Sequence, residues 1–160
     1  MVNPNPSVRP TVLIVDDDNG IRKLLTTVLS ENGYDTDACG TAQEAIAKAN
    51  ERSYNMVLID IILPDMNGLE LLTRIKETKP KTRKIIMTGN PSLQNAVEAL
   101  NKGADAYVMK PLDVARMLTT LEEQLKKQQA EREVAMEQFA RGRLRGRVDL
   151  ISRESQTLET

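Results

Sequence analysis

Three consecutive acids, Asp16-Asp17-Asp18, directly follow the apolar run Thr11–Val15 (TVLIV). A fourth acid, Asp60, ends a second run, Met56–Ile59 (MVLI). Two further runs, Lys84–Met87 (KIIM) and Ala106–Met109 (AYVM), lead into Thr88-Gly89 and Lys110-Pro111. If these runs are neighbouring strands, carboxylates, a hydroxyl and an amine reach one rim. Clustered carboxylates repel one another unless a cation lies between them. Hard oxygen donors suit Mg2+, which takes few carboxylates and keeps positions for water or phosphate oxygens. A lysine and a hydroxyl beside them can hold an incoming phosphoryl group. An aspartate can itself be the nucleophile, forming an aspartyl phosphate. The chemistry these residue types predict is Mg2+-dependent acceptance of a phosphoryl group on one aspartate.

What is missing narrows this further. The chain has no histidine, which removes Ser-His-Asp and Cys-His catalysis, His-ligated zinc and any phosphohistidine of its own. The 160 residues carry 22 Lys+Arg against 23 Asp+Glu, a net charge of -1, so neither a strongly basic nucleic-acid binder nor a highly acidic disordered chain is expected. The single Cys39 excludes an intramolecular disulfide framework and fits a reducing compartment. No apolar run approaches the ~18 residues needed to cross a bilayer. The opening MVNPNPSVRP lacks the apolar core of a signal peptide, so a cytoplasmic location is expected.

The elements that must position these residues follow from the pattern. The four runs are continuously apolar, as strands covered on both faces should be. A weaker fifth strand is expected near Asp35–Ala38. Between them lie helical stripes: Ile21, Leu24, Leu25, Val28 and Leu29, ending at Asn32-Gly33; Ala42, Ala45, Ile46 and Ala49, begun by Thr41; Leu69, Leu72 and Ile75; Leu93, Val97 and Leu100; and Val114, Leu118, Leu121 and Leu125. Strict β/α alternation predicts a doubly wound α/β domain with a five-stranded parallel sheet over residues 10–126. In such sheets ligands bind beyond the carboxyl ends of the strands, where the acids, threonine and lysine fall. Asp18 reads as a helix cap rather than a ligand. Leu63-Pro64-Asp65-Met66-Asn67-Gly68 reads as a turn, and Cys39 as an inert small residue.

The set VDDD at 15–18, LID at 58–60, LPDMNG at 63–68, MTG at 87–89 and YVMKP at 107–111 resembles the receiver domain of two-component response regulators. The resemblance implies a flavodoxin-like receiver fold with Asp60 as phosphoacceptor. It implies Mg2+ held by Asp16, Asp17, Asp60 and the backbone carbonyl of Ile62. Thr88, Lys110 and the Gly89 N–H would hold phosphoryl oxygens, and Tyr107 would be the switch aromatic that turns inward. Lys110-Pro111 would be a cis peptide. The side chains of Ile62 and Asn90 would influence access of water to the acyl phosphate, an apolar Ile62 tending to exclude it.

Beyond the receiver the composition turns polar. Residues 1–9 are expected to be flexible. Residues 127–160 are expected to extend the fifth helix to about Ala140 and end in a flexible tail from about Asp149, with no recognisable output domain. The series Val114, Leu118, Leu121, Leu125 is interrupted by Gln128 and Arg132 and partly resumes at Ala135 and Phe139, too irregular to establish a coiled coil, so a solvated helix is expected, with a dimer-forming or partner-docking helix as the alternative. Arg141, Arg143, Arg145 and Arg147 are interspersed with Gly142 and Gly146, which disfavour a recognition helix. The expected function is that of a stand-alone receiver, a phosphoacceptor rather than an enzyme. A sensor histidine kinase supplies the phosphoryl group, and a downstream protein partner receives the signal. A homodimer through the fourth helix, fifth strand and fifth helix is a further mode of output. No membrane partner is expected. Nucleic acid enters only through the alternative of a transcription regulator with a short DNA-contacting basic tail, or of a receiver fragment of a longer regulator.

Overall fold

The structure, a computed structural model, describes residues 8–158. Expectations for residues 1–7 lie outside the described residues. Elements alternate as β1 (Thr11–Val15), α1 (Asn19–Glu31), β2 (Asp35–Cys39), α2 (Ala42–Glu51), β3 (Met56–Asp60), α3 (Gly68–Arg74), β4 (Arg83–Thr88), α4 (Leu93–Asn101), β5 (Ala106–Met109) and α5 (Val114–Leu158). All strands are parallel, in the order β2-β1-β3-β4-β5. The chain divides into two compact units, Met1–Gln128 and Gln129–Thr160.

Alternate side chains of each strand point to opposite faces, and both faces are apolar. Leu13, Val15, Val57, Ile59 and Ile86 pack with residues of α2, α3 and α4. Val12, Ile14, Met56, Leu58, Ile85 and Met87 pack with α1 and the first turns of α5. Helix starts are fixed by side-chain oxygens that satisfy first-turn N–H groups. Asp18 accepts from Ile21, Thr41 from Glu44, Asn67 from Leu69 and Ser92 from Asn95. Asn32 caps α1, and Gly33 takes the positive φ of 91° that a helix exit there requires. The expected cap at Asp18 and start at Thr41 are both present.

The fourth helix forms where its stripe predicts, and the extent of the fifth needs correction. The stripe Leu93, Val97, Leu100 on α4 is exposed, Leu93 at 82%, and Ala99 is the residue of α4 that is fully buried. The stripe is amphipathic, but its apolar side faces away from the sheet. The fifth helix does not end near Ala140: its backbone is helical through Leu158, including the region expected to be a flexible tail.

Gln128, which breaks the apolar series in α5, is buried and anchored. Its Nε2 donates to Asn55 O at 3.0 Å and Lys81 O at 2.9 Å, and its Oε1 accepts from Asn55 Nδ2 at 2.9 Å. Asn55 in turn accepts at Oδ1 from Thr11 N and Thr11 Oγ1. This network pins α5 to the amino-terminal edge of the sheet, opposite the rim that carries the acids. Replacing Gln128 by Ala leaves buried polar groups unmatched, at about 1–3 kcal/mol. Equilibrium denaturation of Gln128→Ala should show that loss, with an unchanged midpoint refuting the anchor.

Candidate functional site

Strand register brings the reactive residues together. Val15 pairs with Ile59, so Asp16 and Asp60 leave adjacent strands at one level. Asp60 pairs with Met87, placing Thr88 one residue further along β4, and Thr88 pairs with Met109, the neighbour of Lys110. The Lys110 N–H donates to Thr88 O at 2.7 Å, closing the rim between β4 and β5. The site lies at the β1/β3 boundary, where the strand order reverses.

Asp16 is wholly buried, Asp60 nearly so and Asp17 exposed, and one carboxylate oxygen from each lies within 4.8 Å of the others. Lys110 Nζ lies 2.7 Å from Asp16 Oδ2 and 3.5 Å from Asp60 Oδ2. One ammonium therefore faces two buried carboxylates, with a third, Asp17, close to them. Burial and, after it, the charge of Asp16 push the Asp60 carboxyl above its ordinary value, against the opposing pull of Lys110 and the Ile62 N–H. Burial on its own would lower the Lys110 ammonium, but the Asp16 hydrogen bond and charge, reinforced by Asp60, hold it above its ordinary value. Three hard oxygen donors at this separation, one of them open to solvent, fit a Mg2+ ion that keeps water or phosphate ligands.

The rest of the predicted set falls into place unevenly. Thr88 is buried at the end of β4, where its Oγ1 accepts from the Asn90 N–H at 3.1 Å. Gly89 is exposed. A Cβ built there would lie 3.9 Å from Lys110 Cβ, an ordinary contact, so lack of space does not demand the glycine. The Ile62 side chain is 69% exposed beside the acids. Tyr107 is half-buried against the core, its hydroxyl enclosed without a hydrogen-bond partner. The Lys110-Pro111 peptide is cis. Burial pushes the Cys39 thiol up to about 11, which keeps it protonated and inert at neutral pH.

Three supporting residues were not singled out from the sequence. Gly68 was taken as part of a turn, but α3 begins against the end of β3. Its N–H donates to Ile61 O at 2.7 Å, and a Cβ built there would fall 2.1 Å from Asp60 O. Asp65 accepts from the N–H groups of Ala42 and Gln43, tying the loop after Asp60 to the start of α2; these bonds, Ala42 first, hold its carboxyl below the ordinary value. Arg22 Nη1 donates to Asp16 O at 2.7 Å. Close packing and backbone hydrogen bonding leave no signature in residue spacing, so the LPDMNG stretch looks like turn chemistry alone.

A family model described as the response regulator receiver domain matches residues 12–122. The chain belongs to the response regulator receiver family. A CheY-like receiver domain from Methanospirillum hungatei is 41% identical with a TM-score of 0.74, over 78% of this chain and 99% of that one. The transcriptional regulator NtrC of Azospirillum brasilense is 34% identical over 72% of this chain but 24% of its own length. TrcR of Mycobacterium tuberculosis, also a transcriptional regulatory protein, is 34% identical over 69% of this chain and 43% of its own length. The chain thus spans less than half of these curated relatives. The family's fold, a five-stranded parallel sheet of flavodoxin-like type, is the one observed here, and receivers of this family are phosphoacceptors of two-component systems.

Two outcomes follow from the crowding of charge. A carboxyl raised in the folded state means that the folded protein binds more protons than the unfolded one. Stability is therefore lost as pH rises from the ordinary carboxylate range through the folded value, and stays lost at neutral pH. Asp60→Asn should raise the melting temperature at neutral pH without divalent cations, and the gain should vanish as pH falls below the ordinary carboxylate range. Melting curves of both proteins across pH test this; equal curves at pH 7 would refute it. Gly68→Ala must push α3 off the Asp60 carbonyl, an overpacking cost of about 1–3 kcal/mol. Chemical denaturation measures that cost, and an unaffected midpoint would show that the contact yields freely.

Proposed function

We propose that this receiver accepts a phosphoryl group on Asp60 from a partner histidine kinase, with Mg2+ held by Asp16, Asp17, Asp60 and the Ile62 backbone carbonyl. The observation that carries this reading is the convergence of Asp16, Asp17, Asp60 and Lys110 at one rim, with Thr88 ending the adjacent strand. Mg2+ bound there supplies positive charge between the carboxylates and the phosphoryl oxygens. An Asp60 oxygen forms the new P–O bond while the P–N bond of the kinase phosphohistidine breaks. That histidine has to be the partner's, since this chain has none. Lys110 and Thr88 bind phosphoryl oxygens, joined by the Gly89 N–H. The protein acts as a phosphoacceptor in signalling rather than as an enzyme turning over an external substrate.

Output follows from what Thr88 does when a phosphoryl group arrives. Drawing its hydroxyl toward the new anion vacates space beside Tyr107, whose ring already packs against the core with its hydroxyl enclosed. The surface around α4, β5 and α5 shifts with it. Leu93, Val97 and Leu100 on α4, with Met109 on β5, already expose apolar area there. This face suits a downstream protein or a second receiver. Among the described residues no helix is long and apolar enough to cross a membrane, and a cytoplasmic location agrees with the family. Because the relatives NtrC and TrcR are transcriptional regulators, a second reading places the receiver in transcriptional control, with Arg141, Arg143, Arg145 and Arg147 contacting DNA phosphates.

Intact mass after incubation with acetyl phosphate tests the chemistry. A phosphoryl-sized gain that requires both Mg2+ and Asp60 is expected, and none in Asp60→Asn. Lys110→Ala should slow accumulation by about 10²-fold, the usual loss on removing one charge-stabilising donor. A gain that persists in Asp60→Asn would refute the assignment.

A further inference from the structure

The second unit begins where the buried face of α5 ends, at Gln128. From Ala130 to Arg147 every side chain of the helix is exposed. Counted from Ala130, one stripe recurs at alternating intervals of four and three residues: Ala130, Val134, Glu137, Arg141, Leu144. That is the spacing of a helix-pairing seam. It is out of phase with the core-facing series Leu118, Leu121, Leu125. The same helix is segregated by charge. Glu131, Glu133 and Glu137 lie in its first turns with Arg132 among them, and Arg141, Arg143, Arg145 and Arg147 follow without an acid.

We infer that residues 130–147 pair with the same segment of a second copy as an antiparallel two-helix coiled coil. A twofold axis at the level of Phe139 sets Val134 opposite Leu144 of the second copy and Glu137 opposite Arg141 of the second copy. The flanking positions then bring Glu131 beside Arg145 of the second copy and Glu133 beside Arg147 of the second copy. Each of these three opposite-charge pairs is made twice by symmetry. Glu137 and Arg141 also pair within one helix at 3.8 Å, so the four charges at the axis form a closed ring. A parallel pair, by contrast, stacks Glu137 on Glu137 and Arg141 on Arg141 at seam positions, and like charges there select against it. In this register Gly142 and Gly146 fall outside the seam, as do the exposed Met136 and Phe139. Nothing lies within 4 Å of a Cβ built on Gly142 or Gly146, and the Arg143 guanidinium lies 5.5 Å from the ring of Phe139. Glycines weaken an isolated helix, so pairing also accounts for order that propensity does not provide.

The solution mass of the full, unphosphorylated chain tests the pairing, by sedimentation equilibrium at high protein concentration and low salt. Twice the chain mass of 17.9 kDa is expected. Glu133→Arg/Glu137→Arg and Arg141→Glu/Arg147→Glu should each be monomeric alone and dimeric when mixed, with the receiver's melting temperature unchanged in both. Orientation is read by disulfide capture, the native Cys39 being buried. Val134→Cys mixed with Leu144→Cys should cross-link to each other, and neither should cross-link to itself. A monomeric wild type would overturn the inference, including one that instead binds duplex DNA through Arg141–Arg147. So would a dimer that survives the charge reversals but is lost in Val97→Asp, which would place the contact on α4. Self-cross-linking of Val134→Cys would establish a parallel pair and overturn it equally.

Discussion

Lys110 Nζ sits between two buried carboxylates, 2.7 Å from Asp16 and 3.5 Å from Asp60, with Asp17 close by in solvent. Negative charge in excess at a largely dry strand edge works against folding, and much of the surrounding structure acts to hold it in place. The Asp18 N–H donates to Asp16 Oδ1 at 2.9 Å, and Arg22 reaches the Asp16 carbonyl. Gly68 lets α3 start against the backbone of Asp60. Asp65 ties the intervening loop to α2. The site is thus a cluster of like charges restrained from several directions.

The opposite edge of the sheet relies on polar groups that are largely matched. Asn55 and Gln128 complete each other's hydrogen bonds, and Asp105 gathers the Lys84 N–H, Arg83 and Lys81. Lys84 is buried on β4, where its ammonium donates to Leu72 O at 2.9 Å and lies 3.2 Å from Glu77. A buried ammonium is tolerable only with such partners. One edge of the sheet is therefore held by paired polar groups, while the other is left with an excess of negative charge.

The strands, and with them the placement of Asp16, Asp60, Thr88 and Lys110 at one rim, were legible in the sequence because both depend on short-range pattern. Continuous apolar runs mark a sheet covered on two faces, and the residue following each run must emerge at the rim. Helix faces were less legible. Leu93, Val97 and Leu100 satisfy helical periodicity, yet periodicity cannot say whether an apolar side meets the core or the outside. Gln128 looked like the end of a buried series because polarity alone does not reveal a matched partner 73 positions away in the chain. Gly142 and Gly146 pointed to a break that the backbone does not make, since glycine lowers helix propensity without forbidding helix. Gly68 was hidden for a different reason: its role is the absence of a side chain in a contact between elements.

The edge strand β2 carries Asp35, Thr36 and Asp37, with Arg52 within 3.5 Å of Asp35 and 3.3 Å of Asp37. Tyr54 donates its hydroxyl to Asp37 at 2.6 Å. An open strand edge is a template on which another chain can add hydrogen bonds, and rows of charge are the usual deterrent. Here the deterrent sits beside the strand that bears Asp16. A strand added at this edge would have to lie against those charges, so the same residues that line β2 disfavour sheet-to-sheet addition beside the strand leading to Asp16.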